Sequence, residues 1–221
     1  MSGKGTYGSW NGINSGEEIV ISGIAGRFPS SDNLYQLRDN LFNKVDLIKA
    51  NHLRWNINHP DIPTRMGTIN NIKKFDADFF GISVEQAHVF SPDIRMLLEH
   101  TYEAIIDAGV NPKQLQGTNT AVIIGLIYSE TQGEFMFHNV KSGGKNVIGG
   151  SKSMTANMIS YFLNLKGPST TIDSACSSSL HALAYGYDCI MSGLCEDAII
   201  GTTNLCLHPM MTLHFARLGI F

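Results

Sequence analysis

The chain has 221 residues, of which 43% are hydrophobic, and a formal net charge of −3. That is enough to bury a good core as one domain or two small ones. The acidic balance, with no dense Lys/Arg run, argues against nucleic acid or an anionic membrane as the main partner.

Met1 to Gly16 is rich in Gly, Ser and Asn and has no apolar core. It is not a secretory signal and reads as a flexible lead-in, with the globular part at residues 17–221. Glu17 to Ile24 predicts a first strand, an apolar, partly β-branched run ending in glycines. Gly23-Ile-Ala-Gly26 does not complete a dinucleotide fingerprint. Asp32 is placed to cap a helix with Leu34, Leu37 and Leu41 on one face. Val45 to Lys74 mixes charge, Pro and Asn and is expected to be mostly loop, with Trp55 and Arg65 as anchors.

Ser83-Val-Glu-Gln86 fits a capping box opening a brief helix. Ser91-Pro92-Asp93 then predicts a longer helix, with Ser91 as cap, Pro92 at the first position and Asp93 in the first turn. Ile94, Leu97, Leu98, Thr101, Tyr102 and Ile105 form its apolar face, and Gly109 ends it. Thr120 to Ile127 is apolar throughout, as for a strand covered on both faces. The longest apolar run, Ala121 to Tyr128, is far too short to span a bilayer. Ser142 to Ser153 has the glycines but not the Gly-Lys-Ser/Thr step of a phosphate loop, so a pocket rim or subunit contact is expected there. Ser153 to Leu165 predicts a helix, with Met154, Met158, Ile159, Phe162 and Leu165 as its apolar set. Asp197 to Gly201 predicts another strand. Strands alternating with helices indicate an α/β domain with a largely parallel sheet.

Between the last two elements, Gly167-Pro168 precedes a short β-branched run, Thr170-Thr-Ile172. Helix-compatible sequence of about 17 residues follows and stops at Gly193. Asp188 is its one formal charge, which predicts a helix buried within the domain. Cys176 falls where strand passes to helix. The unpaired N–H groups and partial positive charge at a helix N-terminus favour a thiolate by about 0.3–1 kcal/mol. They also favour an oxyanion formed when sulfur attacks a thioester. On residue type alone Cys176 has two readings, an inert buried thiol or a nucleophile. The four cysteines (Cys176, Cys189, Cys195, Cys206) include no Cys-x-x-Cys pair, and no His spacing completes a zinc site. Without a signal peptide, reduced thiols in the cytoplasm are expected.

Thr171-Ile-Asp-Ser-Ala-Cys-Ser-Ser-Ser-Leu180 resembles the active-site signature of β-ketoacyl synthases, the condensing enzymes of fatty acid and polyketide assembly. Further matching stretches follow in the family's order. They are Gly26-Arg-Phe-Pro29, Phe75-Asp-Ala-Asp-Phe-Phe-Gly-Ile82, Arg95-Met-Leu-Leu-Glu99, Tyr102 to Gly109, Gly167-Pro-Ser169 and Phe215-Ala-Arg-Leu-Gly219. The short link between Trp55 and Phe75 is more similar to animal-type, multifunctional fatty acid synthases than to most modular polyketide synthases. The chain departs from the family at Ser91, where Asp is usual, and at Met158, where Arg is common in Ala-Asn-Arg.

The resemblance implies a thiolase-like fold, two α/β halves in layered αβαβα order, of which this chain is the N-terminal half. It implies that Cys176 is the acyl acceptor. The partners would be an acyl carrier protein, whose 4′-phosphopantetheine arm delivers acyl and malonyl thioesters, and a second copy in a homodimer. No cofactor or metal is implied on the chain itself. The family's two catalytic histidines sit in His-Gly-Thr-Gly-Thr and Lys-x-x-x-Gly-His contexts, and neither occurs here. His181, five residues past Cys176, points about 140° away on a helix, which suits a packing role. The sequence is therefore expected to be a partial condensing domain, its last residues, Arg217 to Phe221, stopping inside a family motif. The alternative is a shortened, non-catalytic binding or dimerisation protein. A cysteine hydrolase would need a base that the sequence near Cys176 does not supply.

Overall fold

A computed structural model describes residues 18–50, 54–55, 59–137 and 149–219. The lead-in and residues 142–148 of the proposed subunit-contact loop lie outside these residues. The elements are α1 (Leu34–Phe42), β1 (Lys49–Ala50), β2 (Arg65–Met66), α2 (Val84–Val89), α3 (Pro92–Asp107), a 3₁₀ turn (Pro112–Leu115), β3 (Thr120–Leu126) and α4 (Glu130–Phe137). After them come α5 (Lys152–Phe162), β4 (Ser169–Ile172), α6 (Ser178–Met191), β5 (Asp197–Thr203) and α7 (Pro209–Arg217).

The centre is β3. It pairs in parallel with β4 on one side and β5 on the other, so Gly125 stands level with both Ile172 and Thr202. Every residue of β3 is buried, as its unbroken apolar run requires when helices cover both faces. The period of two then sorts its side chains. Val122, Ile124 and Leu126 enter a cluster with Ile94, Leu97 and Leu98 of α3 and Ala156, Met158 and Ile159 of α5. Ala121 and Ile123 face the other way, onto Ala182 and Cys189 of α6. The result is three layers: α3 with α5, the sheet, and α6.

Helix α3 forms as its sequence dictates. Ser91 Oγ accepts the Ile94 N–H at 3.2 Å and Pro92 opens the helix. Gly109 takes the positive φ of 74° beyond its end. The α2 capping box is present, with Ser83 and Gln86 bonded reciprocally. Met158, at the place of the family's arginine, is a buried core residue, so no polar role survives there. Arg65 does serve as an anchor, donating to Asp46 and to the Ile48 carbonyl.

Three expectations are corrected. Residues 18–24 form no strand; Val20 and Ile21 are 71% and 69% exposed. A strand exists only through a partner edge, and this segment lies on α3 instead. The Ile24 N–H donates to Asp107 Oδ2 at 2.9 Å, and Gly23 sits so close that a Cβ would fall 2.2 Å from the Ala104 carbonyl oxygen. The α1 cap is Asn33 rather than Asp32, with Asn33 Oδ1 accepting from the Gln36 N–H at 2.9 Å. Finally, α6 is buried on one face only. Ser178, Ala182, Gly186 and Cys189 lie against the sheet, whereas Leu180, Leu183 and Tyr187 are 71%, 44% and 51% exposed.

Candidate active site

Beyond the carboxyl ends of parallel strands is where open α/β sheets place their ligand sites. Here β4 ends at Ile172, and five residues carry the chain into α6. Cys176 is exposed on that turn, one residue before the N-cap Ser177. Cys176 is therefore not a buried core thiol, whereas Cys189 and Cys195 are buried.

The turn is strained and firmly held. Ala175 has φ 53°, a left-handed conformation that costs a Cβ-bearing residue about 1 kcal/mol or more. Both of its backbone groups are fastened. Its N–H donates to Asp173 Oδ1 at 3.2 Å, and its carbonyl accepts from the Ser178 hydroxyl at 2.6 Å and the Ser178 N–H at 3.0 Å. The Ser174 N–H in turn donates to Ser178 Oγ at 2.9 Å. Buried Ser178 is therefore the inner hinge of the turn. The Ser177 hydroxyl points back to the Ser174 carbonyl at 2.7 Å and makes no side-chain cap bond. That leaves the positive end of α6 uncapped by the residue best placed to cap it.

Close packing sets the height of this helix over the sheet. A Cβ on Gly125 would fall 2.9 Å from the Ser178 carbonyl oxygen and 3.0 Å from its carbon, so only glycine in β3 lets α6 seat here.

Lys152, at the start of α5, reaches the same corner. Its Nζ donates to the Ile127 carbonyl and, at 2.7 Å, to Asp173 Oδ2, and lies 5.8 Å from the centre of the Tyr128 ring. The hydrogen bond from Lys152, followed by that from the Ala175 N–H, holds the Asp173 carboxyl below the usual carboxylate range. Neither Lys152 nor Asp173 stands out as a site residue in the sequence. A charged pair flanking the strand ends is visible only once β3 and β4 are in register.

His181 is exposed rather than packed, and no described histidine hydrogen-bonds Cys176. A second polar group lies past the ends of β3 and β5. Glu130 accepts from the Leu207 N–H at 2.9 Å and the His208 N–H at 3.2 Å, and buried Asp93 accepts from the Thr203 hydroxyl at 2.8 Å. Burial pushes the Asp93 carboxyl up to about 6. Among the described residues no cluster of three His, Cys, Asp or Glu side chains is placed to hold a metal. Nor is any helix among them long and apolar enough to cross a membrane.

A parallel sheet between helical layers, with an exposed cysteine on a strained turn at its carboxyl edge, suits the thiolase-like fold. Residues 16–221 match the family model of the β-ketoacyl synthase N-terminal domain, and the chain belongs to that family. It is 44% identical over 204 residues to a fatty acid synthase of the goose Anser anser anser, covering 92% of this chain and 58% of that sequence. A probable polyketide synthase (number 6) of Dictyostelium discoideum is 35% identical over 214 residues, covering 91% of this chain and 7% of the relative. Among solved structures, an oxazolomycin ketosynthase domain from Streptomyces albus JA3453 superposes with a TM-score of 0.80 at 31% identity, over 90% of this chain and 36% of that one. A ketosynthase from module 6 of the bacillaene synthase of Bacillus subtilis 168 gives 0.76 at 30% identity, over 89% and 33%. The chain thus spans little more than half of the goose sequence and about a third of the solved ketosynthases.

Proposed function

We propose that this chain supplies the nucleophile of a β-ketoacyl synthase of fatty acid synthesis, with Cys176 as acyl acceptor. The observation that carries the reading is the exposed Cys176 on the strained turn at the positive end of α6. The Cys176 thiolate attacks the carbonyl carbon of an acyl thioester, the carbon–sulfur bond to the carrier breaks, and the carrier thiolate takes up the proton that Cys176 gave up. The carrier is an acyl carrier protein, and the leaving thiol is that of its 4′-phosphopantetheine arm. In the condensation that follows, malonyl on a second carrier loses carbon dioxide. The resulting enolate carbon bonds to the acyl carbonyl carbon, and Cys176 leaves as thiolate. The fatty acid assignment rests on the higher identity to the goose synthase than to the polyketide synthase.

Decarboxylation needs stabilisation of the enolate, which in this family falls to the two histidines absent from this sequence. The exposed stripe Leu180, Leu183 and Tyr187 fits coverage by the second half of a five-layer domain. A homodimer in the cytoplasm is the setting we assign to the assembled enzyme.

The test is incubation of the purified chain with acetyl-CoA, peptide mapping of the label, and assay of malonyl-CoA decarboxylation and β-ketoacyl product. Label on Cys176, lost in Cys176→Ala, without turnover at enzymatic rates, is the expected result. Label on Cys189, Cys195 or Cys206 overturns the nucleophile assignment. Turnover by this chain alone overturns the half-domain assignment, and no acylation at all supports the non-catalytic alternative.

A further inference from the structure

The core explains why the strands and α6 are where they are, but not why the four-residue turn between Ile172 and Ser177 holds one shape. We propose that Lys152 and Asp173 are positioning residues for Cys176, an ionic strut that fixes the orientation of its sulfur. This rests on the reading of Cys176 as nucleophile.

The strut runs in one direct line. The Lys152 backbone is tied to the sheet by the Thr171 hydroxyl, which donates to its carbonyl at 3.0 Å. Its ammonium then bridges the first residue after β3, through the Ile127 carbonyl, and the first residue after β4, through Asp173 Oδ2. The other Asp173 oxygen accepts the N–H of Ala175, the strained residue directly before Cys176. A left-handed residue with a Cβ persists only where its surroundings over-determine it. Two clamps do so here: Ser178 on the Ala175 carbonyl and Asp173 on the Ala175 N–H. Only the second depends on a charge. Without the ammonium, Asp173 turns to solvent, the Ala175 N–H loses its acceptor, and the turn relaxes.

Relaxation affects two reactions of the same thiol differently. Alkylation by iodoacetamide needs an exposed thiolate and little else. Acyl transfer needs the sulfur aligned with a carbonyl whose oxygen is held at the helix N-terminus, where a misplacement of about 1 Å costs on the order of 100-fold. The strut therefore belongs to the second reaction and not the first.

The experiment compares the 221-residue chain with Lys152→Met, Lys152→Arg and Asp173→Ala. It measures Cys176 acylation by acetyl-CoA as a function of concentration, Cys176 alkylation by iodoacetamide, and amide hydrogen exchange across Ala175 to Leu180. Lys152→Met and Asp173→Ala should lower the maximal acylation rate at least tenfold. Half-saturation should stay within about twofold, alkylation should stay within about threefold, and amide exchange should quicken. Lys152→Arg should restore acylation to within about threefold. Acylation at the unaltered rate in both charge-removing variants overturns the proposal, and so do equal losses in acylation and alkylation, which would mean a damaged thiol or fold. Should the unaltered chain alkylate at Cys176 but never acylate, the proposed function fails. The strut is then judged by hydrogen exchange alone, with unchanged protection in Lys152→Met overturning it.

Discussion

Asp93 sits in the first turn of α3, 5% exposed, where the helix dipole favours a carboxylate. Burial opposes the charge more strongly, and nearby Glu130 adds to that; the hydrogen bond from Thr203 only partly offsets both, leaving the folded value at about 6 against an ordinary 3.8. Between these values the folded protein binds more protons than the unfolded chain, so stability falls as pH rises. The contribution is complete below about pH 4 and gone above about pH 6. The size is on the order of 3 kcal/mol, from about 1.4 kcal/mol per tenfold change in proton affinity. Asp93→Asn keeps an oxygen for the Thr203 hydroxyl and never ionises. Its stability relative to the natural protein should therefore rise by about 3 kcal/mol between pH 4 and pH 7.5. The change with pH matters, not the offset at any one pH, because the buried amide has partner requirements of its own. Urea unfolding at half-unit pH steps reads it as a relative midpoint shift of about 1 M or more, for a slope of 1–3 kcal/mol per M. Parallel pH profiles, within about 0.5 kcal/mol, would mean that Asp93 is solvated in the folded state and would refute the reasoning.

Gly125→Ala forces a Cβ to 2.9 Å from the Ser178 carbonyl oxygen, which is backbone, so α6 must move; a loss of about 1–3 kcal/mol by denaturant unfolding and slower Cys176 acylation are expected. Gly186→Ala meets only the tip of the Ile200 side chain at 2.4 Å, which can rotate away while the helix gains alanine's propensity of about 1 kcal/mol. That variant should lie within about 1 kcal/mol of the natural protein, and a larger loss would show Ile200 to be locked. Timed alkylation at pH 8 with peptide mapping should modify Cys176 first, since it alone is exposed, while burial pushes the Cys195 and Cys206 thiols up. Simultaneous modification of Cys195 at native conditions would contradict its burial.

Local signals were legible wherever one stretch of chain decides the outcome. Ser91-Pro92-Asp93 and Gly109 bracket α3, Ser83 and Gln86 open α2, and Gly193 takes the positive φ that ends α6. The apolar run of β3 announced its own burial on both faces. What failed was partnership. Residues 18–24 have strand composition, but composition does not supply an edge to pair with. Asp and Asn are both good cap residues, and the choice is settled by Asn33 accepting the Gln36 N–H while Gln36 Oε1 turns back to the Asp32 N–H. The low charge of α6 predicted burial but not that only one of its faces meets this chain. Cys176 stands out in the sequence through the family signature, as the proposed acyl acceptor. The left-handed Ala175 and the Lys152–Asp173 pair do not, because alanine carries no turn signal and Lys152 lies 21 residues from its partner.

The polar contacts around the sheet share one logic. Hydrophobic packing fixes the middle of each strand, since Val122, Ile124, Ala121 and Ile123 each have a layer to face. It has no purchase on the chain beyond the last paired residue. The paired strands end almost level, Gly125 standing opposite Ile172 and Leu126 opposite Thr203, so three loose exits gather at one edge. Each exit is fastened by a charged side chain on a neighbouring segment. Lys152 joins the exits of β3 and β4, Glu130 joins the exit of β3 to Leu207 and His208 after β5, and Asp93 holds Thr203 at the end of β5. An aligned nucleophile needs this more than a stable fold does. A core error of one methylene costs stability wherever it falls, whereas a loosened exit leaves the core intact and, on the reading of Cys176 as nucleophile, would misaim its sulfur. Variants that reduce acylation without reducing stability should therefore map to Lys152 and Asp173, and those that reduce both should map to Gly125 and the layers beneath it.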